Sequence, residues 1–235
     1  MTRRTSQAGF TLTELSIAVV FISLLTLAVV TTGIGLSKIY VKGITTKTIN
    51  QSARDITSYM KRDIAAGSSQ AFIPKTVRVG GADVQTQGRL CTGVYSYLWN
   101  TAYALQNSNT GAIRNSMITY DDKNVKLLRI ADPGSSYCGA EKSTTSIDRS
   151  NAGEDLLSGN DDRLAVHALT FKGDFIKTDS SATAYELLLQ IGTNESGTIE
   201  NNGTCKDPSN AQSNFDFCSV AVMTVIGRVG GAGGE

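Results

Sequence analysis

The stretch Gly9-Phe10-Thr11-Leu12-Thr13-Glu14 separates a short basic leader from a long apolar run, and it decides how the N-terminal part of the chain folds. The leader, residues 1–9, carries Arg3 and Arg4, and no other charge precedes Glu14. Residues 15–30, LSIAVVFISLLTLAVV, contain no charge. A carboxylate near a bilayer costs free energy unless another group pairs with it. The pattern therefore indicates a chain that is stored in a membrane and later packs against copies of something similar.

The apolar run is long enough to be a membrane helix. Extended to Leu36, it reaches the length of about 20 apolar residues that a bilayer requires. The arginines of the leader predict that the N-terminus stays on the cytoplasmic side. In an ordinary secretory signal the cleavage site follows the apolar segment, whereas here the small residue Gly9 precedes it. Cleavage at Gly9 would leave the helix attached to the mature protein.

This order of residues resembles the class III leader of type IV prepilins and type II secretion pseudopilins. That leader is basic, ends in glycine, and is followed by Phe, Thr-Leu-x-Glu-Leu and an apolar helix; here Thr13 takes the variable position and Leu15 follows Glu14. The motif covers only about the first tenth of the chain. It is specific because charge, small residue, aromatic residue, acid and apolar run must coincide in order.

The resemblance implies roles for three residues. A membrane-embedded prepilin peptidase would cut between Gly9 and Phe10 and methylate the new amine of Phe10. In a filament, the carboxylate of Glu14 would pair with the N-terminal amine of a neighbouring subunit and set the axial register. The alternative for Glu14 is local, because Thr11 and Glu14 also fit the Ser/Thr-x-x-Glu capping box at a helix start.

Gly33, Gly35 and Gly43 follow the apolar run and are expected to interrupt the helix, since each costs it about 1 kcal/mol relative to alanine. Segment 33–43 is either a soft point that loses helix during filament assembly, as in many pilins, or a plain kink at the membrane exit. The helix is then expected to resume as far as residue 66, before Gly67-Ser68-Ser69.

In the resumed helix, apolar residues recur at spacings of three and four, which predicts one apolar stripe. Docking against a sheet is favoured over binding a partner for this stripe: Ile49, Ala53, Ile56, Met60 and Ile64. The charged residues are expected to face elsewhere: Arg54, Asp55, Lys61, Arg62 and Asp63.

The remainder of the chain, residues 67–235, is polar and favours β structure, and it is long enough for one domain with its own core. The strands are predicted at 76–79, 93–99, 116–120, 124–130, 164–172, 184–191 and 218–229. Residues 121–123 are predicted to turn a hairpin between the third and fourth of these. Long loops are expected at 132–162 and 192–216, and the glycine-rich tail 230–235 is expected to be disordered.

The predicted fold class is therefore α+β: a long N-terminal α-helix, its first half transmembrane, packed on an antiparallel β-sheet head, as the resemblance to pilins also implies. Its domains are the leader 1–9, the helix 10–66 and the head 67–235. Within the helix, residues 10–36 would form the membrane or filament core and residues 40–66 would pack on the head. Three segments further resemble minor pilins and J-type pseudopilins: 58–64, 126–129 and 166–171.

Four cysteines lie outside the apolar helix: Cys91, Cys138, Cys205 and Cys218. An even number in an exported head predicts two disulfides, for which three connectivities are open. The resemblance favours a Cys205–Cys218 bridge, like the C-terminal bridge of many pilins, with Cys91 and Cys138 as the other pair.

Other classes of site find little support. No CxxC occurs and the only histidine, His167, lies in a predicted strand, so neither zinc nor another cofactor is expected. The acidic pairs 154–155 and 161–162 match no EF-hand spacing and favour a plain acidic loop. The aromatic residues Tyr95, Tyr97, Trp99 and Tyr103 favour core packing over a ligand platform.

The charge of the chain also excludes functions. Loss of Arg3 and Arg4 with the leader lowers the formal charge from +1 to −1, so no nucleic-acid partner is predicted. With one histidine and cysteines expected in disulfides, we expect no enzyme.

The sequence is thus interpreted as a minor pilin-like structural subunit of a type IV pilus, at a tip or in an initiation complex. Its partners would be other pilins or pseudopilins, the prepilin peptidase and the cytoplasmic (inner) membrane. It would cross that membrane once with its head outside the cytoplasm and then reach the pilus or cell surface. The alternatives are a type II secretion pseudopilin and a surface adhesin or binding module on a pilin anchor.

Overall fold

The structure is a computed structural model that describes residues 11–67, 71–79, 81–139, 146–148, 150, 152–157, 163–173, 184–195, 197–200, 204–207, 209 and 218–228. The predicted cleavage site at Gly9 and Phe10 and the tail 230–235 lie outside these residues. The chain divides into two compact units, Met1–Gly43 and Ile44–Glu235. We call the second of these the head unit.

Helix α1 spans Leu12–Ala66 without interruption. The expectation that Gly33, Gly35 and Gly43 break it is therefore wrong for the single chain. A glycine keeps its N–H and C=O groups, so the i to i−4 hydrogen bonds continue through it at a cost of only about 1 kcal/mol. The predicted end of the helix at residue 66 is confirmed.

The predicted apolar stripe of α1 is buried in the head unit. Ile49, Ala53, Ile56, Met60 and Ile64 are each at most 2% exposed, and all five belong to the largest apolar core. This core also contains side chains from the sheets of the head unit, so the stripe docks against a sheet as predicted.

Two antiparallel sheets form the main β structure in the described part of the head unit. The first has the strand order β1-β2-β3-β6-β8 and the second the order β11-β10-β9. The strands of the first are β1 Ala71–Val79, β2 Ala82–Cys91, β3 Tyr95–Asn100, β6 Leu127–Ala131 and β8 Gly153–Asp155. The strands of the second are β9 Leu164–Gly173, β10 Ala184–Thr193 and β11 Val220–Arg228. The fold class predicted from the sequence, α+β, is confirmed.

Short elements complete the described part of the head unit. A small third sheet has the order β5-β4-β7, in which β4 and β7 run parallel. Its strands are β4 Thr119–Tyr120, β5 Lys123–Asn124 and β7 Ser146–Ile147. Two short helices, α2 Ala102–Gln106 and α3 Gly111–Arg114, and a 3-10 turn at Ser136–Cys138 join the sheets.

The predicted hairpin around residue 121 is only partly correct. Asp121 and Asp122 have positive φ angles of 53° and 59°, and they connect β4 to β5 in a tight two-residue turn. Each of these strands has only two residues, however, and β6 leaves the hairpin to pair with β3. The hairpin predicted over 116–130 therefore belongs to two different sheets.

The sequence pattern does not predict strand β2, because its residues are unusually polar. Thr86, Gln87 and Arg89 are buried in it, and they hide the apolar alternation that predicts a strand. The predicted loop 132–162 is also wrong in part, since it contains the 3-10 turn, β7 and β8.

Candidate functional site

The first half of α1 is the most unusual surface of the described chain. In the parts that the structure describes, α1 is the one helix long and apolar enough to cross a membrane, and none of its most apolar window is buried. Leu15, Val20 and Leu25 are each more than half exposed. Glu14 is the only charged residue between positions 11 and 37. An exposed apolar surface this long requires lipid or partner helices around it.

Glu14 and Thr11 form a reciprocal cap at the start of this helix. The Glu14 carboxylate oxygen Oε2 accepts hydrogen bonds from the Thr11 backbone N–H at 2.9 Å and from the Thr11 hydroxyl at 2.8 Å. The Glu14 N–H donates to Thr11 Oγ1 at 3.3 Å. The local alternative from the sequence, a capping box, is therefore present in the single chain.

The carboxylate of Glu14 stands beside an apolar face of the helix. Ile17, Ala18, Phe21 and Ile22 follow it on the same side. Packing of another apolar helix against this face would remove water from the carboxylate, and a buried carboxylate needs a counter-charge. The cap uses hydrogen-bond donors that carry no charge, so it leaves that requirement unmet.

A second carboxylate of α1, that of Asp63, is fully satisfied inside the head unit. Arg129 on β6 donates to it from Nε at 2.7 Å and from Nη2 at 3.1 Å, and the Tyr97 hydroxyl on β3 donates at 2.5 Å. The guanidinium carbon of Arg129 also lies 3.5 Å from the ring centroid of Tyr95. Asp63 is 3% exposed. The expectation that Asp63 faces away from the core is therefore wrong.

The Asp63 network joins the helix to two strands, and its contacts shift the pKa values of Arg129 and Tyr97. Burial lowers the pKa of Arg129, but the hydrogen bonds and charges of Asp63 and Tyr97 outweigh this and raise it overall. Burial, reinforced by the bond to Asp63, raises the pKa of Tyr97. Asp63 lies three residues after Met60, so helical spacing alone could have placed it beside the stripe.

Both disulfides hold irregular parts of the head unit. Cys91 at the end of β2 is bonded to Cys138 in the 3-10 turn, with Cα atoms 6.1 Å apart. Cys205 is bonded to Cys218, just before β11, with Cα atoms 5.8 Å apart. This is the connectivity that the resemblance favours.

Asp132 fixes the same turn that Cys138 holds. Its carboxylate accepts hydrogen bonds from the Ser96 hydroxyl at 2.6 Å, from the Ser136 N–H and hydroxyl at 2.9 and 2.7 Å, and from the Tyr137 N–H at 3.0 Å. Burial raises the pKa of Asp132, but these hydrogen bonds together lower it below its ordinary value.

The aromatic residues singled out in the sequence serve the core. Tyr97 and Trp99 have no exposed surface and Tyr95 packs against the same core, as predicted. Tyr103 lies apart from them in α2, against a separate small cluster.

The other candidate residues also have structural partners. His167 is buried in β9 with Nε2 2.9 Å from the Thr193 carbonyl oxygen, and Asp155 accepts hydrogen bonds from the backbone of Lys126, Leu127 and Leu157. Within the described residues no group of three potential metal ligands occurs. Residues 161–162 lie outside the described part.

Comparison with protein-family models, with curated proteins and with solved structures found no match to this chain. Any function must therefore be argued from the apolar helix, its single carboxylate and the head unit themselves.

Proposed function

We propose that this protein is a minor pilin-like structural subunit of a type IV pilus. It would be cut after Gly9 by a prepilin peptidase in the cytoplasmic (inner) membrane, methylated at Phe10, and assembled with other pilins through its N-terminal helix. A place at the tip or in the initiation complex fits a subunit of this kind. The protein would be a substrate of the peptidase and not an enzyme itself.

One observation carries the proposal: a long apolar helix segment has no buried residue in its most apolar window, and its one charged residue lies at its start. A membrane alone would explain the apolar side chains. It would not explain why a carboxylate is kept beside the apolar face formed by Ile17, Ala18, Phe21 and Ile22. A helix bundle in which Glu14 meets a positive charge explains both features.

The new N-terminal amine of a neighbouring copy is the positive charge that such a bundle supplies. It would compete for Glu14 with the Thr11 N–H and hydroxyl, which now hold Oε2. A charge-assisted hydrogen bond is about twice as strong as a neutral one. When the helices pack, the amine would therefore either replace the Thr11 donors at the Glu14 carboxylate or bind the carboxylate together with them.

Mass spectrometry of the N-terminus tests the processing step. Protein from native membranes or from sheared surface fibres is expected to begin at a methylated Phe10. Gly9→Leu is expected to leave the leader attached, because the larger side chain hinders entry of the backbone into the peptidase. A native protein that still begins at Met1 would refute the proposal.

Paired substitutions separate the assembly role of Glu14 from its role in the cap. Glu14→Ala removes the carboxylate and the cap, while Thr11→Ala removes the capping hydroxyl and keeps the carboxylate. We expect both variants to be cleaved, and only Glu14→Ala to be lost from filaments. If the two variants enter filaments equally well, Glu14 would have a role in the helix cap and none in assembly.

A type II secretion pseudopilin would use the same helix physics in another machine. Deletion of the gene separates the two: loss of surface fibres supports the pilus, whereas a block in protein secretion with intact fibres supports the pseudopilin. An adhesin carried on a pilin anchor is less well supported, because Tyr97 and Trp99 are buried and offer no surface to a ligand.

A further inference from the structure

The solvent-facing side of α1 in the head unit carries a regular row of basic side chains. Lys47, Arg54 and Lys61 are all exposed and follow one another at intervals of seven residues. Seven residues are close to two helical turns, so the three side chains lie on one side of the helix, each about 10.5 Å from the next along its axis. The buried apolar stripe of α1 lies on the other side.

Uncharged residues alternate with the basic ones in the spacing of a helix–helix contact. The six positions are all exposed, and we call them the basic seam: Lys47, Gln51, Arg54, Ser58, Lys61 and Ala65. They recur at alternating spacings of four and three, as do the residues through which two helices of a coiled coil contact each other. A lipid surface requires no such spacing, so the pattern favours a second helix as the occupant.

The charge of the row is not neutralised by its own chain. In the part that the structure describes, Lys47, Arg54 and Lys61 form no ion pair, whereas Arg62 and Arg129 both contact Asp63. Residues 67–235 contain 14 basic and 18 acidic side chains, so the row does not reflect a generally basic protein. Its charge is available to another molecule.

A second copy of this chain is a poor occupant of the seam. Two copies anchored in one membrane by their apolar segments would hold their α1 helices parallel. The row of one copy would then face the row of the other, and a shift by seven residues would again oppose basic residues. Like charges that face each other across an interface are destabilising. The basic seam therefore disfavours its own kind and selects a different helix.

We propose that the basic seam binds a parallel helix of a different pilin-like subunit, one that carries Asp or Glu opposite Lys47, Arg54 and Lys61. The parallel orientation and the class of partner rest on the proposed function. Exposed ion pairs are individually weak, so three of them do not hold two subunits together by themselves. The apolar segments would supply the association, and the seam would decide which subunits become neighbours.

A charge-reversed form of this chain supplies a partner of defined chemistry. Lys47→Glu, Arg54→Glu and Lys61→Glu together make the row acidic, and we call this form the acidic variant. Ala65→Cys, added to the unaltered chain and to the acidic variant, gives each one new thiol in the seam, because all four native cysteines are in disulfides.

The two full chains, with tags of different size, would be produced in one membrane and oxidised with diamide. We expect about tenfold more mixed dimer than either same-charge dimer, because three attractive contacts replace three repulsive ones. Raising the salt from about 50 mM to about 500 mM should reduce the mixed dimer severalfold, since salt screens exposed charges.

Ala66→Cys is the matched control for Ala65→Cys. The two alanines are neighbours and both exposed, but they point about 100° apart around the helix, so that residue 66 faces away from the seam. The Ala66→Cys pair should give about tenfold less mixed dimer. Equal yields at the two positions would indicate random collision and overturn the proposal.

The acidic variant also tests the seam in fibres. We expect it to be cleaved at Gly9 but to enter fibres about tenfold less than the unaltered chain. The matched control reverses three exposed cations outside α1, with Lys75→Glu, Arg78→Glu and Lys123→Glu, and should enter normally. Denaturation curves would establish that both variants fold. Equal entry of the two would exclude the seam as a contact and leave the proposed function standing.

Two further outcomes would overturn the proposal. Same-charge dimers as abundant as mixed dimers would show that the row does not discriminate between partners. Loss of the mixed dimer in detergent when phosphatidylglycerol is added, but not when phosphatidylcholine is added, would assign the row to anionic lipid headgroups. If the native protein forms no fibres at all, the proposed function fails, and the mixed-dimer yields still decide whether the seam selects an acidic helix.

Discussion

Residues 15–36 and residues 49–64 belong to the same helix, yet the first segment leaves its apolar side chains exposed and the second buries them. Each segment also has a carboxylate beside its apolar side. Asp63 meets Arg129 and Tyr97 within the chain, whereas the hydrogen-bond donors to Glu14 among the described residues are the neutral N–H and hydroxyl of Thr11. Segment 49–64 has its apolar side covered within a single chain, whereas segment 15–36 requires lipid or other molecules to cover its own.

The contrast between the two segments shows how one helix can contribute to both folding and assembly. Burial of the stripe and of Asp63 fixes the helix to the head unit, so these residues contribute to the stability of the monomer. The exposed segment contributes nothing comparable to that stability, and its residues are available for contacts between molecules. Substitutions in the two segments should therefore separate stability from assembly.

The largest effect on stability is expected from Arg129→Ala. It leaves the carboxylate of Asp63 buried without its counter-charge, which costs about 3–5 kcal/mol of unfolding free energy. Chemical denaturation in detergent, followed by the fluorescence of the single buried tryptophan Trp99, measures this loss.

Arg62→Ala is the matched control for this substitution. Arg62 lies 3.7 Å from the same carboxylate, but its side chain is 66% exposed, so its removal should cost less than about 1 kcal/mol. Equal losses in the two variants would show that burial does not decide the strength of the Asp63 contacts.

A comparison of two isoleucines tests the division of the helix directly. Ile56→Ala removes a side chain that is 2% exposed and should cost about 2–5 kcal/mol of unfolding free energy. Ile22→Ala, at a residue that is 62% exposed, should leave the unfolding of the head unit unchanged. A similar loss from both changes in the same denaturation assay would contradict the division.

The sequence predicted those parts of the fold that follow from short-range periodicity. The stripe from Ile49 to Ile64 was visible from its spacing, and β9 and β10 were visible as runs of β-branched and aliphatic residues. The partners of buried polar groups were not predictable in this way. Nothing in the sequence around Asp63 indicates that Arg129, 66 residues later, will reach its carboxylate.

The distance in sequence between buried polar groups and their partners also explains why strand β2 and some contacts of the candidate site were not predicted. Strand β2 buries Thr86, Gln87 and Arg89, whose burial depends on tertiary partners that no local pattern shows. The cap of Glu14 was predictable because Thr11 is only three residues away. The proposed partner of Glu14 lies on another molecule, so neither the sequence nor a single chain can display that contact.

A smaller effect, with a defined pH dependence, is expected from Asp132→Asn. The amide cannot accept all four hydrogen bonds that the carboxylate accepts, so the variant should lose about 1–3 kcal/mol of unfolding free energy at pH 7. Because the pKa of Asp132 is lowered in the folded protein, its contribution is present above the unfolded value of about 4 and is lost as the pH falls through the folded pKa.

Denaturation curves between pH 7 and pH 2 measure this dependence. The stability of the unaltered protein should decline below about pH 4 more steeply than that of the Asp132→Asn variant. Parallel declines would assign the acid sensitivity to other carboxylates and contradict the role of Asp132 in holding the 3-10 turn.

The smallest effect concerns the glycines between the two segments. A methyl group at Gly33 or Gly35 would meet no atom within 4 Å, so alanine fits and should strengthen the helix by about 1 kcal/mol at each position. If segment 33–43 stays helical during assembly, Gly33→Ala and Gly35→Ala should leave filament incorporation unchanged. If segment 33–43 must lose helix during assembly, filament incorporation should fall by up to about fivefold for each substitution.

Thr26→Ala provides the control, because it also raises helix propensity but lies within the exposed segment ahead of these glycines. Quantitative immunoblots of sheared fibres, with unchanged denaturation curves for the head unit, would report the difference. Loss of incorporation by the glycine variants alone would locate the soft point between the assembly segment and the folding segment of α1. Equal incorporation of all three variants would mean that the helix stays intact through residues 33–43 when the protein assembles.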